Sequence, residues 1–252
     1  MSGHSHWATI RRQKAAVDAK KGKIFSKCAK AIISAARTGG GDPNANTKLR
    51  YAIDDARAVN MPKDKIDRAV LKGTGELEGQ HLAEAVYEGY GVGGVALIVE
   101  AVTDNRNRTT PEIRRIFEHS GGSLTSPGSV AWMFRKKGVL SVKRDTVDED
   151  TLMEIVLEAG ADDMATYDDL YEITCEPSAF SDVKQALLDN DISPDTAQVV
   201  DVAKQNVAPS IEDARKVVKL MEALEEHDDV QNDSANFDIP AELMAGITRR
   251  LP

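Results

Sequence analysis

The chain has little of what catalysis, secretion or membrane insertion requires. It holds two cysteines, Cys28 and Cys175, far apart and with no CxxC, which excludes a disulfide scaffold and suits a reducing cytoplasm. No run of about 18 apolar residues occurs; the longest, Val95 to Val99, suits a buried strand. The N-terminus has no apolar core of a secretory signal, and its basic residues lead without a break into a helical pattern, so the segment is read as mature protein. There is no GxSxG, no HExxH, no GK[ST], and no cysteine near a histidine at usable spacing. No catalytic residues, metal or cofactor are therefore expected, with an unrecognised hydrolase as the last alternative to a nucleic-acid-binding role.

Charge is present, unevenly. Of the 252 residues, numbers 1 to 75 carry 16 Lys and Arg against 6 Asp and Glu, a net of +10; the other 177 carry 16 against 35, a net of −19. A cationic module on an acidic body is the pattern expected when one module meets an anionic partner.

Residues 1 to 75 show helical spacing throughout. Ile24, Cys28, Ala31, Ile32, Ala35 and Ala36 predict a first helix, stopped by Gly39-Gly40-Gly41. Asn46 or Thr47 can cap a second helix through Ile53 and Ala56. Pro62 starts a third through Ile66, Ala69 and Val70, with Gly73 as its stop. The texture then changes to alternating strands and helices. A strand is predicted over 93–103, a polar loop over 103–108, a helix from Thr110-Pro111-Glu112, and a second strand over 130–134. Residues 138 to 206 read as βαββαβ, the split ferredoxin-like plan. A last helix (211–224) and strand (231–239) complete the earlier set. The expected architecture is an α+β multidomain chain: an N-terminal three-helix domain (1–75), a discontinuous ferredoxin-like α/β domain (76–135 plus 207–252), and a second ferredoxin-like domain (136–206) inserted in it.

The functional signal lies in the first 30 residues. On a helix, Lys20, Lys23, Lys27 and Lys30 fall within an arc of roughly 80° at about 100° per residue, away from the apolar stripe. Lys21 adjoins them; Arg11, Arg12 and Lys14 precede them, with Trp7 as a stacking platform and His4 and His6 beside it. Two histidines do not make a zinc site, which needs three or four ligands. Residues 1 to 37 hold nine Lys and Arg and only Asp18 as acid, whereas a solvated helix face mixes both signs. Phosphate contacts plus base stacking fit this composition. Arg106 and Arg108, with Arg114 and Arg115, form a candidate second basic patch, equally readable as a solvated surface. Glu225-Glu226-His227-Asp228-Asp229 puts acid at a helix C-terminus, where it is unfavourable and so hints at a use. The glycines of Gly89-Tyr-Gly-Val-Gly-Gly94 precede a strand and read as a tight entry turn, not a phosphate loop.

GHSHW, DAKKGKIFSK, GGGDPNAN, NMPKDKIDRAV, YEGYGVGGVALIVE, TDNRNRT and GSVAWMF, in that order, resemble the YebC/PmpR family over nearly the whole chain. The resemblance implies three domains and a cytoplasmic regulator of gene expression. Some members are described as DNA-binding transcriptional regulators; the related mitochondrial translational activator of cytochrome oxidase acts at the ribosome. Two partners therefore stand open, DNA and ribosomal RNA. The basic, His/Trp-tipped arm leans toward structured RNA, where phosphate contacts and stacking dominate.

Overall fold

The computed structural model describes residues 21–79, 81–167 and 169–238, with Lys21 described in its backbone only. Among the described residues there are seven helices and two four-stranded sheets, an α+β fold. Two compact units divide the described residues, one built from those between 21 and 129 and 213–233, the other from those between 130 and 212 and the stretch from Ser234.

The first unit opens with α1 (Lys21–Gly39), α2 (Thr47–Ala58) and α3 (Lys63–Thr74). Their apolar stripes meet in one cluster of Ile32, Ala35, Leu49, Ile53, Ala56 and Ile66 with their smaller neighbours. α1 stops where Gly40 turns to φ +86°. Asn46 is the cap of α2, its side chain accepting from the Leu49 N–H while its amide donates to the carbonyls of Ala35 and Gly40. That side chain therefore ties the α2 start to the α1 end. Asn60, at φ +59°, closes α2 and leads through Pro62 into α3. The expected stop at Gly73 is corrected: the helix runs on to Thr74 and Gly75 takes the left-handed turn at φ +85°. Gly73 is there for closeness, since a Cβ would sit 2.5 Å from Ala36 Cβ and 2.7 Å from the Ile33 carbonyl oxygen.

The α/β part of this unit contains β1 (Ala83–Tyr90), β2 (Ala96–Thr103), α4 (Arg106–His119) and β3 (Ser123–Leu124). After the other unit, the chain returns as α7 (Ile211–Glu225) and β8 (Val230–Ala235). The sheet order is β3-β1-β2-β8. β1 and β2 form an antiparallel hairpin from Ala83↔Thr103 to Tyr90↔Ala96, closed by a turn in which Gly93 and Gly94 have positive φ. Three expectations change here. β1 lies where no strand is predicted, because Glu84, Glu88 and Gly89 dilute its alternation. The helix begins at Arg106, not Thr110, because Asn105 caps it by accepting from the Asn107 and Arg108 N–H groups. Residues 131–133 form a 3-10 turn, and Phe134 is already the first residue of the next strand.

The second unit is β4 (Phe134–Lys143), α5 (Glu149–Glu158), β5 (Ala161–Thr166), β6 (Leu170–Cys175), α6 (Phe180–Asp189) and β7 (Thr196–Ala203). Its order, β5-β6-β4-β7, with antiparallel neighbours throughout, is the ferredoxin-like plan. The first sheet has the same spatial order reached by a permuted chain, the β1–β2 hairpin joining its two central strands directly. Leu140, Ile173, Leu152, Val156, Phe180 and Leu187 supply the core of the second unit. Residue 239, the expected end of the last strand, lies outside the described residues.

Gly73→Ala tests the α1–α3 contact. Alanine is the better helix former by about 1 kcal/mol, but overpacking against backbone costs about 1–3 kcal/mol. Urea denaturation should therefore show a net loss of stability.

Candidate nucleic-acid interface

Helical spacing brings Lys23, Lys27 and Lys30 to one side of α1, as expected. What they face is not solvent. The last carbonyls of a helix have no partner within it; these lysines meet the final carbonyl of α7 and two more in the turn that follows it. Lys23 donates to the Glu226 carbonyl, Lys27 to that of Glu225, and Lys30 to that of Asp228 at 3.1 Å. Carboxylates complete the contact, with Asp228 3.3 Å from Lys23 and Asp229 2.6 Å from Lys30. Cations at a helix C-terminus are favourable, and here they also offset the acids placed there. Burial pulls the Lys27 ammonium below its ordinary pKa, helped by Lys23 and opposed by Glu225.

Asp229 is the centre of this arrangement. Its side chain is 2% exposed and accepts from Lys30, from Arg108 at 2.7 Å and from the Thr109 hydroxyl at 2.6 Å. Burial pushes the carboxyl pKa up, yet the hydrogen bonds from Lys30, Thr109 and Arg108 outweigh it and hold the group well below the usual carboxylate range. Its backbone is fixed as well: the Asp229 carbonyl accepts from the Val102 N–H, and the Asp229 N–H donates to His227 Nδ1. With Nδ1 accepting, the proton of His227 sits on Nε2 and points at Glu112, 3.0 Å away. A second anchor lies at the other end of α1. Ser34 donates to Glu84, which also pairs with Lys48, and Arg37 donates to the Leu82 carbonyl.

The second basic patch is dispersed. Arg106 donates to the Glu84 carbonyl, Arg108 serves Asp229 and Asp104, and Arg115 lies 3.4 Å from His119, while Arg114 is exposed. Arg108 and Arg115 border a cleft of about 660 Å³ with Lys23 and Lys30, but five carboxylates line it too, so it is no phosphate trap. His4, His6, Trp7, Arg11, Arg12, Lys14 and Lys20 lie outside the described residues, as does the Lys21 side chain.

A cationic stripe not marked above runs along α3. Lys65 and Arg68 are exposed and Lys72 half-buried, along one flank of the buried stripe of Ile66, Ala69 and Gly73. Lys65 Nζ stands 5.2 Å from the centre of the Phe25 ring, a cation–π contact that braces it against α1. Its signal in PKDKIDRAVLK is the spacing of three and four residues. No group of three His, Cys, Asp or Glu among the described residues is arranged to hold a metal ion. Burial pushes both thiols, Cys28 and Cys175, up to about 11, which keeps them protonated at neutral pH. No helix among the described residues is long and apolar enough to cross a membrane.

The architecture defines an α+β multidomain protein whose basic helical module is docked on a ferredoxin-like domain. Family models place it further: residues 5–76 match the TACO1/YebC protein N-terminal domain and residues 82–237 the TACO1/YebC second and third domain. The chain belongs to the TACO1/YebC family. It is 51% identical to a "Probable transcriptional regulatory protein" of Dictyoglomus turgidum, covering 98% of this chain and all of that one. A Geobacter sulfurreducens protein of the same description is 50% identical over 97% of this chain and 98% of its own. The crystal structure of a conserved hypothetical protein from Aquifex aeolicus superposes with a TM-score of 0.83 at 44% identity, covering 94% of this chain and 98% of that one.

Asp229→Asn should cost about 2 kcal/mol at pH 7, below the range for fully buried pairs because Lys30 and Arg108 can rehydrate. A carboxyl whose folded pKa is depressed contributes stability above its unfolded pKa of about 3.9 and loses it as pH falls through the folded value. The difference between the two proteins in urea should therefore shrink steadily below about pH 4.

Proposed function

We propose that the protein is a non-enzymatic, cytoplasmic regulator of gene expression that binds nucleic acid through residues 1–75, with 76–135 plus 207–252 and the inserted 136–206 as the domains that carry and orient that module. The observation behind this reading is the charge of +10 on residues 1–75 against −19 elsewhere, in a chain whose relatives are named probable transcriptional regulatory proteins. In this reading the basic segment from His4 to Lys21 leads the contact and Lys65, Arg68 and Lys72 extend it. Lys23, Lys27 and Lys30 hold the module in place, and they reach phosphate only by exchanging it for the end of α7. The acidic remainder repels bulk nucleic acid, leaving sites whose shape fits the module.

DNA is the first target by the relatives' names. Ribosomal RNA is the second, favoured by the character of the α3 stripe: it offers cations but no Asn or Gln for reading adenine edges, so it suits phosphate positioning over sequence readout. The test is a salt titration with a labelled DNA duplex and with purified ribosomes, on the parent chain and a Lys65→Glu/Arg68→Glu variant. Each lost phosphate contact lowers the slope of log K against log salt by about 0.9 on duplex. The double variant should therefore lose about 2 units of slope and bind more weakly. Selective duplex binding supports the transcriptional reading, and co-sedimentation with ribosomes supports the translational one. An unchanged slope and affinity in the variant would count against the module as the binding surface.

A further inference from the structure

Trp132 is 64% exposed, above Val86 at 55% and Leu157 at 49% among the exposed large apolar side chains of the described residues. It stands in the 3-10 turn Ala131–Met133, which is held at both ends. Val130 before it is fully buried and Phe134 after it is 5% exposed. The Met133 N–H donates to the Val130 carbonyl, and the Lys204 N–H to the Met133 carbonyl at 2.8 Å. The indole is thus displayed from a fixed frame at the start of β4.

Two cations lie near it in the fold. Lys204 Nζ, exposed, donates to the Trp132 main-chain carbonyl at 2.7 Å. Arg135 is exposed three residues on and stands opposite Val202 in the β4–β7 register, two residues before Lys204. The neighbouring cations are committed elsewhere: Lys136 pairs with Asp201 at 3.1 Å, and buried Lys137 with Asp162 and Glu176. Arg135 and Lys204 are therefore the charges available to a ligand beside the ring.

A protein partner would be met by a contiguous apolar patch of several hundred Å². Here one indole stands among Ala131, half-buried Met133 and cations. A single π-face flanked by cations matches an unpaired nucleotide, whose base stacks while its phosphates take the charge. We propose that Trp132, Arg135 and Lys204 form a binding site for an unpaired segment of nucleic acid on the inserted domain, the base lying on the indole and the flanking phosphates on the two cations. This site rests on nucleic acid being the partner, but on none of the side chains of the N-terminal module.

The chain has two tryptophans, Trp7 and Trp132, so a full-length Trp7→Phe variant makes Trp132 the only indole reporter. The probes are 12-nucleotide oligouridylate and oligothymidylate strands and a blunt duplex of equal length, each also labelled for anisotropy. Saturable quenching of Trp132 by the single strands, and less by the duplex, is expected. Trp132→Ala should weaken strand binding about tenfold, with Trp132→Phe retaining most of the affinity. Arg135→Gln and Lys204→Gln should each weaken it and flatten its salt dependence. Labelled strands that bind without changing Trp132 emission, or a duplex that quenches as strongly, would overturn the site and leave the N-terminal reading standing. Quenching that persists while Lys65→Glu/Arg68→Glu changes no affinity would sink the N-terminal reading alone. If no strand and no duplex binds, both fall.

Discussion

Three lysines of one helix end on the carbonyls at and just beyond the end of another, and the first compact unit is organised around that meeting. Lys23, Lys27 and Lys30 reach Glu225 to Asp229 across about 200 positions of chain. Each side supplies what the other lacks. The end of α7 and the turn after it offer the carbonyls of Glu225, Glu226 and Asp228 and an acid run that the helix dipole disfavours; α1 has a row of ammonium groups that would otherwise repel one another. Asp229 makes the contact specific, since its buried carboxylate takes donors from α1 and from the first turn of α4 together. An unpaired charge there would be far more costly than an absent one, so the three elements settle in one arrangement.

The remainder of the helical module follows from having α1 pinned. One side of α1 is committed to the end of α7, to β1 through Ser34 and to Leu82 just before it through Arg37, and the other packs α2 and α3. Gly73 lets α3 come close enough for the small core to close. Lys65, Arg68 and Lys72 of α3 take no part in that docking, although Lys65 braces α3 against Phe25 of α1. Among the described residues the cations of α1 hold the module while exposed Arg68 does not, a division that net charge alone does not reveal.

Much of this was legible in the residues. The helical spacing in α1 defines both its apolar stripe and its lysine row, and Asn46 declares itself as a cap beside a glycine stop. The βαββαβ alternation of residues 138–206 predicts the strand order found. The misses have physical causes. β1 carries Glu84, Glu88 and Gly89 in its alternation, and Gly89 is there because a Cβ would sit 2.6 Å from the Phe117 ring, a constraint no local pattern shows. Asn105 starts α4 early by binding two backbone N–H groups, which outweighs the Thr110-Pro111 signal. The lysine row looks like a free phosphate surface because its partner is remote in sequence; the one local clue was acid placed at a helix C-terminus.

The claim that this ion contact organises the unit is tested most directly by a double-mutant cycle on Lys30→Met and Asp229→Asn in the full chain, followed by urea denaturation at neutral pH. Coupling of about 1 kcal/mol or more is expected for a pair of which one member is buried. Additive losses, with a coupling near zero, would mean that α1 is held by its apolar face alone and that the lysines stand free for another partner.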